Sequence, residues 1–488
     1  MHTTTEMDTT TERLKWNSWN GHVVRAEAAA YLLHVPTTAV FGVDALGLSI
    51  IEHCQAAGGH SVDELVALLV DRHPPARVRA FAAELRKLEM LQPSGSLKPI
   101  NPGKVKVSSY PLSTLVLNVN TGCNLSCTYC YKEDLAKPAD GRKMDFVTAA
   151  RSVDLLLEAG AARERVNIVF FGGEPLSNVA LIKQVVGYAE AEAARAGRQM
   201  DFSMTTNATL LTPALVDYFD AHRFGISVSI DGPKDIHDRH RKSVGGRGTY
   251  EVVARKVRVL LERYRSRPVG ARVTLGGGTT EVEAIHAHLK GEIGFHEVGF
   301  APVTAAAEAG HALSEAELAE VHRAFERLGE DYRRAALRGE NNGFSNMHQL
   351  MTDLHEGRRK SLPCGAGVGL LAVDGDGELN LCHRFTGSDL PTFGNVTSGI
   401  DGERLGAFID KAIDRQGTHC ETCRIRNLCA GGCYHESYAR FGDAHHRTYH
   451  YCDLLRSWVD FGVRVYADIQ RDNPSFFTRH LQPRSALA

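Results

Sequence analysis

The chain has 488 residues, of which 43% are hydrophobic and 23% are charged, and its formal net charge is −2. These values are typical of a globular protein of about two to four domains. The near-neutral charge excludes a field that would attract nucleic acid or a membrane surface, so neither is an expected partner. The polar first residues and the lack of a long apolar run predict no signal peptide and no membrane span, and we expect a cytoplasmic protein.

The first hundred residues predict a small α+β unit. Two strands form a hairpin in HVVRAEAAAYLLHV, and three helices follow at 45–56, 61–72 and 75–91. Ser61 is a candidate N-cap, and Glu64 would complete a capping box with it. Strands followed by three helices suit a winged-helix fold. The next stretch, QPSGSLKPINPG, is rich in Pro, Gly and Ser and is typical of a linker.

From residue 114 the pattern changes to alternating strands and helices. Strands that are apolar on both faces and joined by helices indicate a parallel sheet covered by helices. Six such units predict an α/β fold, a partial (β/α)6 barrel that is open on one side. The region 305–345 is rich in Ala, Glu and Arg and predicts exposed helices. The candidate strands are TLVLNVN, VNIVFF, DFSMTT, GISVSI, ARVTL and EVGFA.

Eleven cysteines carry most of the functional information. Cytoplasmic reductants keep thiols reduced, and clustered cysteines in that compartment more often bind metal than form disulfides. Three lie at 123–130, two at 364–382 and five at 420–452. Cys54 stands alone, and we interpret it as a small buried core residue.

The first cluster follows the first barrel strand, in TGCNLSCTYCYKED. Cys123, Cys127 and Cys130 can hold three irons of a four-iron cubane, because iron–sulfur clusters prefer soft thiolate ligands, and the fourth iron stays open. Zinc is the alternative, but it prefers four N or S ligands, and this loop offers three. The motif resembles that of the radical S-adenosylmethionine superfamily. The resemblance implies that the open iron chelates S-adenosylmethionine, whose cleavage releases a 5′-deoxyadenosyl radical.

Further motifs end the later strands, where such folds place their active sites. In the superfamily that the chain resembles, FFGGEPL, with Gly172, Gly173 and Glu174, would hold the methionine amine of the cofactor. The motifs TTNA and SIDG would face its ribose or amino-acid part. Ordinary turns, strand-end capping and packing are the alternatives. For Arg241, an ion pair with a carboxylate and a solvated charge are both open. The other candidate cofactor contacts are Tyr129, Thr206, Asn207, Ser229 and Asp231.

The C-terminal cysteines, together with Gly377, match the seven-cysteine SPASM pattern of radical enzymes that modify peptides. The resemblance implies three 4Fe–4S clusters, one that binds S-adenosylmethionine and two auxiliary clusters. The first auxiliary cluster would use Cys364, Cys382 and Cys433. The second would use Cys420, Cys423, Cys429 and Cys452.

The first auxiliary set lacks a fourth cysteine. Sulfatase-maturing relatives supply one shortly after the first ligand, but CGAGVGLL contains none. This cluster therefore either has an open iron or takes a non-cysteine ligand. Asp374, Asp376 and His383 are candidates, with turn and surface roles as their alternative. An open iron could bind a substrate thiolate and lower its pKa.

Several longer stretches resemble the quinohemoprotein amine dehydrogenase maturation enzymes. They include YLLHVPTTAVFGVD, FSNMHQLMTDLHEG and CETCRIRNLCAGGCYHESYARFGD. The resemblance implies that the chain joins cysteine sulfur to a methylene carbon of Asp or Glu in the γ-subunit polypeptide, with two hydrogens lost per thioether. An electron donor would be a further partner. The competing enzyme class is another SPASM peptide maturase, either thioether-forming or of the sulfatase type that forms formylglycine. A metal-binding regulator is the non-enzymatic alternative.

The predicted organisation has four parts. Residues 1–105 form the winged-helix-like unit, which resembles a leader-peptide recognition domain and has a DNA-binding winged helix as its alternative. Residues 106–345 form the barrel, 346–460 the auxiliary-cluster domain and 461–488 a C-terminal tail.

Overall fold

The computed structural model describes residues 12–27, 29–101, 111–131, 141–304, 309–447 and 449–481. Two sequence-based expectations lie outside these ranges. They are the absence of a signal peptide, which concerns the first eleven residues, and the domain boundary after residue 105. Within the described part of the chain, no helix is long and apolar enough to cross a membrane.

The N-terminal residues form a three-stranded antiparallel sheet, a two-stranded pair and three helices. The sheet order is β2 (Gly21–Arg25), β3 (Ala30–His34) and β4 (Ala39–Val43), and β1 (Leu14–Trp16) pairs with β5 (Leu91–Pro93). The helices are α1 (Ala45–Gln55), α2 (Val62–Leu69) and α3 (Pro75–Lys87). The predicted hairpin and the three predicted helices are confirmed.

Two details of this unit were readable from the sequence. The capping box is confirmed, because the Ser61 hydroxyl accepts from the Glu64 N–H at 3.2 Å and a Glu64 oxygen accepts from the Ser61 N–H at 2.9 Å. Cys54 is fully buried, in a hydrophobic cluster with Ile50 and Leu65. It is therefore a core residue, as expected.

The centre of the molecule is an eight-stranded sheet with helices on its outer face. Its order is β11-β10-β9-β8-β7-β6-β12-β13, and all neighbours are parallel except the last pair. The six predicted strands are confirmed, and the chain has the α/β fold of a partial barrel. They are β6 (Thr114–Asn120), β7 (Arg165–Gly172), β8 (Gln199–Thr206), β9 (Gly225–Ser229), β10 (Val269–Leu275) and β11 (Glu297–Pro302).

The strands β7 to β10 alternate between two environments. Val166, Ile168 and Phe170 of β7 are buried beneath the outer helices, whereas Asn167 and Phe171 face the interior of the partial barrel. This differs from the prediction that the strands are apolar on both faces, because an open barrel leaves room for polar groups inside. The outer helices are α4 (Phe146–Ala159), α5 (Val179–Arg195), α6 (Pro213–Ala221), α7 (Lys234–His240), α8 (Tyr250–Arg263) and α9 (Val282–His286).

The cysteine-rich region adds two strands that sequence analysis did not predict. Strand β12 (Leu370–Val373) pairs parallel to β6, and β13 (Leu379–Asn380) pairs antiparallel to β12. The region therefore extends the barrel sheet and is fixed against the strand that precedes the first cysteine loop. Its other elements are β14 (Gly394–Asn395), β15 (Gly399–Ile400), α12 (Gly402–Ile413), α13 (Arg426–Cys429) and α14 (Tyr434–Phe441).

Two predictions about the exposed helices and the tail were wrong. Helix α10 (Glu315–Leu337) buries one face, including Leu328 and Tyr332, so it is not an exposed helix. The boundary at residue 460 falls inside α15 (Cys452–Asp472), which packs on α10 and on α11 (Ser345–His355), and α16 (Ser475–His480) follows it. The described residues after 460 are part of the core, because apolar side chains such as Val463, Ile469 and Phe476 are buried in the main hydrophobic cluster.

We predict that Ile469→Ala destabilises the protein by about 2–5 kcal/mol, because Ile469 is fully buried and its removal leaves a cavity. Gln470→Ala is the matched control, since Gln470 is exposed on the same helix and its change should be within about 0.5 kcal/mol. Melting temperatures of the two purified variants test this. Equal melting temperatures would support the tail interpretation instead.

Candidate cluster-binding active site

The first cysteine loop lies at the carboxyl end of β6. It is held by the end of α7 and the residues that follow, because the Ser126 N–H donates to the Lys242 carbonyl at 2.8 Å and the Thr128 N–H to the His240 carbonyl at 3.1 Å. The Thr128 hydroxyl also contacts His240 Nδ1 at 2.8 Å. The loop that carries Cys123, Cys127 and Cys130 therefore rests on a fixed part of the barrel rim.

The GGEP turn approaches this loop so closely that only glycine fits. A Cβ on Gly172 would lie 2.2 Å from the Asn120 carbonyl oxygen, and Gly172 has a φ of +138°. A Cβ on Gly173 would lie 2.1 Å from the Gly122 carbonyl oxygen. The Gly173 N–H donates to Asn120 at 2.7 Å, which joins the two turns through backbone groups.

The Glu174 side chain is buried behind the turn and accepts three hydrogen bonds. One oxygen accepts from the Leu176 N–H at 3.0 Å and from the Thr206 hydroxyl at 2.7 Å, and the other accepts from the Asn207 N–H at 2.8 Å. Burial raises the pKa of Glu174 to about 7, and these three donors oppose that shift. Glu174 and Thr206 therefore join the ends of β7 and β8, because the Thr206 hydroxyl donates to the Glu174 carboxylate.

Asn207 connects this buried pair to the cysteine loop. Its side-chain N–H donates to the Asn124 side-chain oxygen at 3.0 Å and points to the Cys123 sulfur at 3.8 Å. The Leu125 N–H also donates to this sulfur, at 3.4 Å. Donors aimed at a cluster thiolate tune its charge, so Asn207 is placed to act on the first cluster.

Asp231 is the centre of a second buried network on the opposite side of the loop. One oxygen accepts from Arg241 Nε at 2.9 Å and from the Tyr129 hydroxyl, and the other accepts from the Thr274 N–H at 3.0 Å. The Asp231 and Arg241 side chains are only 1% and 9% exposed. For Arg241, the structure therefore favours the ion pair over the solvated charge. Ser229, also a candidate, is the half-buried last residue of β9.

The three loop thiols suit a metal cluster chemically. Burial raises the pKa of Cys123 to about 12 and that of Cys127 to about 11, so an iron–sulfur cluster held by these thiols would have to displace their protons. Among the described residues, no group of three or more His, Cys, Asp or Glu side chains is arranged around a single metal ion. In a cubane, each thiolate binds its own iron, so the ligands need not converge on one point.

The C-terminal cysteines form two groups in the structure. Cys420, Cys423, Cys429 and Cys452 line one cavity, which three arginines also line. Positive groups around thiolates stabilise their charge. The arginines are Arg426, Arg447 and Arg456.

The other group consists of Cys364, Cys382 and Cys433. Burial raises the pKa of the Cys364 and Cys382 thiols, and each of the two also feels the charge of Cys433. The three sulfurs are therefore within electrostatic range of one another. The assignment of these seven cysteines to two iron–sulfur clusters stays a prediction.

The candidates for a fourth ligand have other contacts. Asp374 accepts from the N–H groups of Asp376 and Glu378 at 3.0 and 2.9 Å, which closes the turn before β13. Asp376 forms an exposed ion pair of 2.8 Å with Arg142. The two aspartates thus have the turn and surface roles given as their alternative. The His383 ring lies 4.2 Å from the Phe171 ring, inside the barrel.

Sequence analysis missed Tyr131, which lies between the first loop and the three-cysteine group. It follows Cys130 directly, and the charges of Cys130, Cys382 and Cys433 all raise its pKa, although burial raises it more. The Arg384 guanidinium lies 4.9 Å from the centre of its ring. The only signal in the sequence was its position next to a cluster ligand.

A family model described as the radical SAM superfamily matches residues 117–289. A serine-type anaerobic sulfatase-maturating enzyme of Klebsiella pneumoniae is 26% identical over 341 residues, which are 67% of this chain and 82% of that protein. A cysteine-type enzyme of Clostridium perfringens is 29% identical over 162 residues, which are 32% of this chain and 42% of that protein.

Two solved structures share the fold. The enzyme anSMEcpe, with bound AdoMet and a Cp18Cys peptide, has a TM-score of 0.62 and 21% identity, and it covers 75% of this chain and 99% of its own. Streptococcus suis SuiB, bound to the precursor peptide SuiA, has a TM-score of 0.51 and 14% identity. The match covers 90% of this chain and 99% of the SuiB chain. The part of the chain that matches the radical SAM model contains the first cysteine loop and the GGEP turn, and the chain has the fold of these two solved structures. Radical SAM proteins bind a 4Fe–4S cluster and S-adenosylmethionine.

We predict that Arg241→Met destabilises the protein by about 3–5 kcal/mol, because it leaves the buried Asp231 carboxylate without its cation. The control is Arg263→Met, which breaks an Arg–Asp pair of similar length, 2.6 Å, whose side chains are 47% and 53% exposed. That loss should be much smaller, because water solvates and salt screens an exposed ion pair. Melting temperatures and iron content are the measurements. A control as damaging as Arg241→Met would contradict the role of the buried network.

Proposed function

We propose that this chain is a peptide maturase with three 4Fe–4S clusters, two of them auxiliary. The observation that carries this proposal is the separation of the C-terminal cysteines into a group of four and a group of three. The four-cysteine group offers a complete ligand set for a cubane, whereas the other offers three thiols. When bound, the clusters and S-adenosylmethionine supply an oxidant for a C–H bond and an acceptor for the remaining electron.

The reaction that we favour is thioether formation between a cysteine and an Asp or Glu methylene of a polypeptide. One C–H bond and one S–H bond break, and one C–S bond forms, with a net loss of two hydrogens. Tyr131 lies between Cys130 and the three-cysteine group, so a peptide in the barrel mouth would lie close to both sites. The amine dehydrogenase γ-subunit is the candidate substrate, on the sequence resemblance.

A second candidate is the conversion of a Cys or Ser side chain to formylglycine. The Klebsiella pneumoniae relative named above favours it, because that serine-type anaerobic sulfatase-maturating enzyme matches 67% of the chain. The incomplete first auxiliary set argues for thioether formation instead. The broader proposal, a radical peptide maturase, is supported by both kinds of observation.

The N-terminal sheet is the proposed site for the leader of the substrate. Strand β4 is an edge of this sheet, and its Phe41 is 42% exposed. An exposed edge can accept an extended peptide as an additional strand. We keep 1–105 as the recognition domain and 106–345 as the barrel, and we extend the auxiliary-cluster domain through α16. We place the enzyme, with an electron donor, in the reducing cytoplasm.

We predict about twelve irons per chain in the reconstituted protein, four for each cubane. Cys382→Ala and Cys429→Ala should each lose about a third of the iron, because they belong to different groups. Cys54→Ala should keep the full content, since Cys54 is a core residue. Iron analysis and absorption spectra measure this. Full iron content in either ligand variant would contradict the three-cluster proposal.

We expect a candidate γ-subunit polypeptide to lose two hydrogens per site after anaerobic incubation with enzyme, reductant and S-adenosylmethionine. The modified cysteines should no longer react with an alkylating reagent, and mass spectrometry with fragmentation would place each bond. Formylglycine formation would instead create an aldehyde that reacts with a hydrazide probe. Cleavage of S-adenosylmethionine with an unchanged polypeptide would make this substrate assignment wrong.

A further inference from the structure

Two arginines point into the barrel interior without a carboxylate partner. Arg272 lies on the inner face of β10, and Arg384 follows Cys382 by two residues. Within the ranges that the structure describes, neither guanidinium forms an ion pair with an Asp or Glu. Arg272 is exposed and Arg384 is half-buried, so both charges can reach a ligand that enters the interior.

Arg272 packs against strand β11, its neighbour in the sheet, opposite Gly299. Its Nη1 atom lies 3.3 Å from the position that a Cβ on Gly299 would occupy, so the guanidinium rests against β11 where that strand has no side chain. It opens into a cavity of about 720 Å³, whose lining also includes Gln349 and Trp458. A cavity of this size can hold a side chain of a bound peptide.

Arg384 belongs to a segment that crosses the mouth of the barrel. On one side of it, His383 packs on Phe171, and on the other, the Thr386 hydroxyl accepts from the Asn118 side chain at 2.8 Å. Arg384 itself donates to the Thr304 hydroxyl at 2.7 Å and lies over the Tyr131 ring. It is therefore fixed between the first cysteine loop and Cys382.

The two guanidiniums act on each other. Crowding by protein atoms lowers the pKa of Arg272 although the side chain opens to the cavity, and the charge of Arg384 lowers it further. Glu297 partly offsets this effect on Arg272. Burial raises the pKa of the neighbouring Glu436, and that rise is opposed by the Tyr451 hydroxyl, which donates to it at 2.6 Å, and by the charge of Arg384. A bound anion would relieve the repulsion between the guanidiniums.

We propose that Arg272 and Arg384 bind the carboxylate of an acidic substrate residue and hold its methylene carbon between the first cysteine loop and Cys382. This inference rests on the proposed thioether reaction, in which the carbon that reacts belongs to an Asp or Glu. Arginine presents donors that match both oxygens of a carboxylate, so it fixes position as well as charge.

The test compares two peptides on the reconstituted full-length enzyme without reductant. One contains the candidate cysteine and aspartate, and the other has asparagine in place of aspartate, which keeps the shape and removes the charge. Fluorescence anisotropy gives both affinities. The wild-type enzyme should prefer the aspartate peptide by about tenfold to a hundredfold. Arg384→Gln and Arg272→Gln should each reduce this preference, and the double variant should abolish it.

Arg255→Gln is the matched control, because Arg255 is exposed on the outer helix α8 and should leave the preference unchanged. Arg384→Lys should recover part of the preference through its charge. The inference is overturned if the wild-type enzyme binds both peptides equally or neither measurably. It is also overturned if the variants lose affinity for S-adenosylmethionine but keep the aspartate preference, since the arginines would then bind the cofactor carboxylate.

The two proposals can fail separately. A carboxylate preference without any thioether product would overturn only the proposed reaction. A thioether product from an enzyme with no such preference would overturn only the role of the arginines.

Discussion

The close approach of two backbone turns is the constraint on which the active site depends. The first cysteine loop and the GGEP turn share backbone hydrogen bonds, and a side chain at Gly172 or Gly173 would overlap the carbonyl oxygens opposite it. This contact places the loop at the end of β6 and brings Glu174 beneath it. From there, the buried carboxylate fixes Thr206 and Asn207, and Asn207 reaches the sulfur of Cys123. One steric requirement therefore orders three successive strand ends.

Two buried carboxylates flank the loop in different electrostatic states. Glu174 has only neutral donors around it, and burial raises its pKa to about 7. Asp231 has the Arg241 guanidinium beside it, and that pair is almost fully enclosed. The cysteine loop thus lies between Glu174, which can be neutral, and the Asp231–Arg241 ion pair. Neither neighbour adds a large uncompensated negative charge beside the thiols.

Much of the fold was readable from the sequence, because the signals are local. Six strands separated by helical segments, the capping box at Ser61 and the burial of Cys54 were predicted and confirmed, whereas the polar inner face of β7 to β10 was not predicted. Strands β12 and β13 were missed because they are short and exist only by pairing with β6. The predicted domain boundary at residue 460 cut through helix α15, because it was placed near the end of the cysteine pattern. The apolar periodicity of the helix continues beyond that residue. The networks around Glu174 and Asp231 join residues from different strands, so strand order had to be known first. Arg272 and Arg384 also come from separate parts of the chain, so the sequence alone did not show that both face the barrel interior.

Helix α15 links regions that are far apart in the sequence. It begins at Cys452, its central part packs on α10 and α11, and it contacts the N-terminal sheet, where Asp460 binds His22 at 3.0 Å. Its 21 residues span about 31 Å at 1.5 Å per residue. The helix is therefore one continuous rod that carries Cys452 at one end and packs along the N-terminal sheet. A displacement of its first turn would therefore reach β2, β3 and β4, which pack against the same helix.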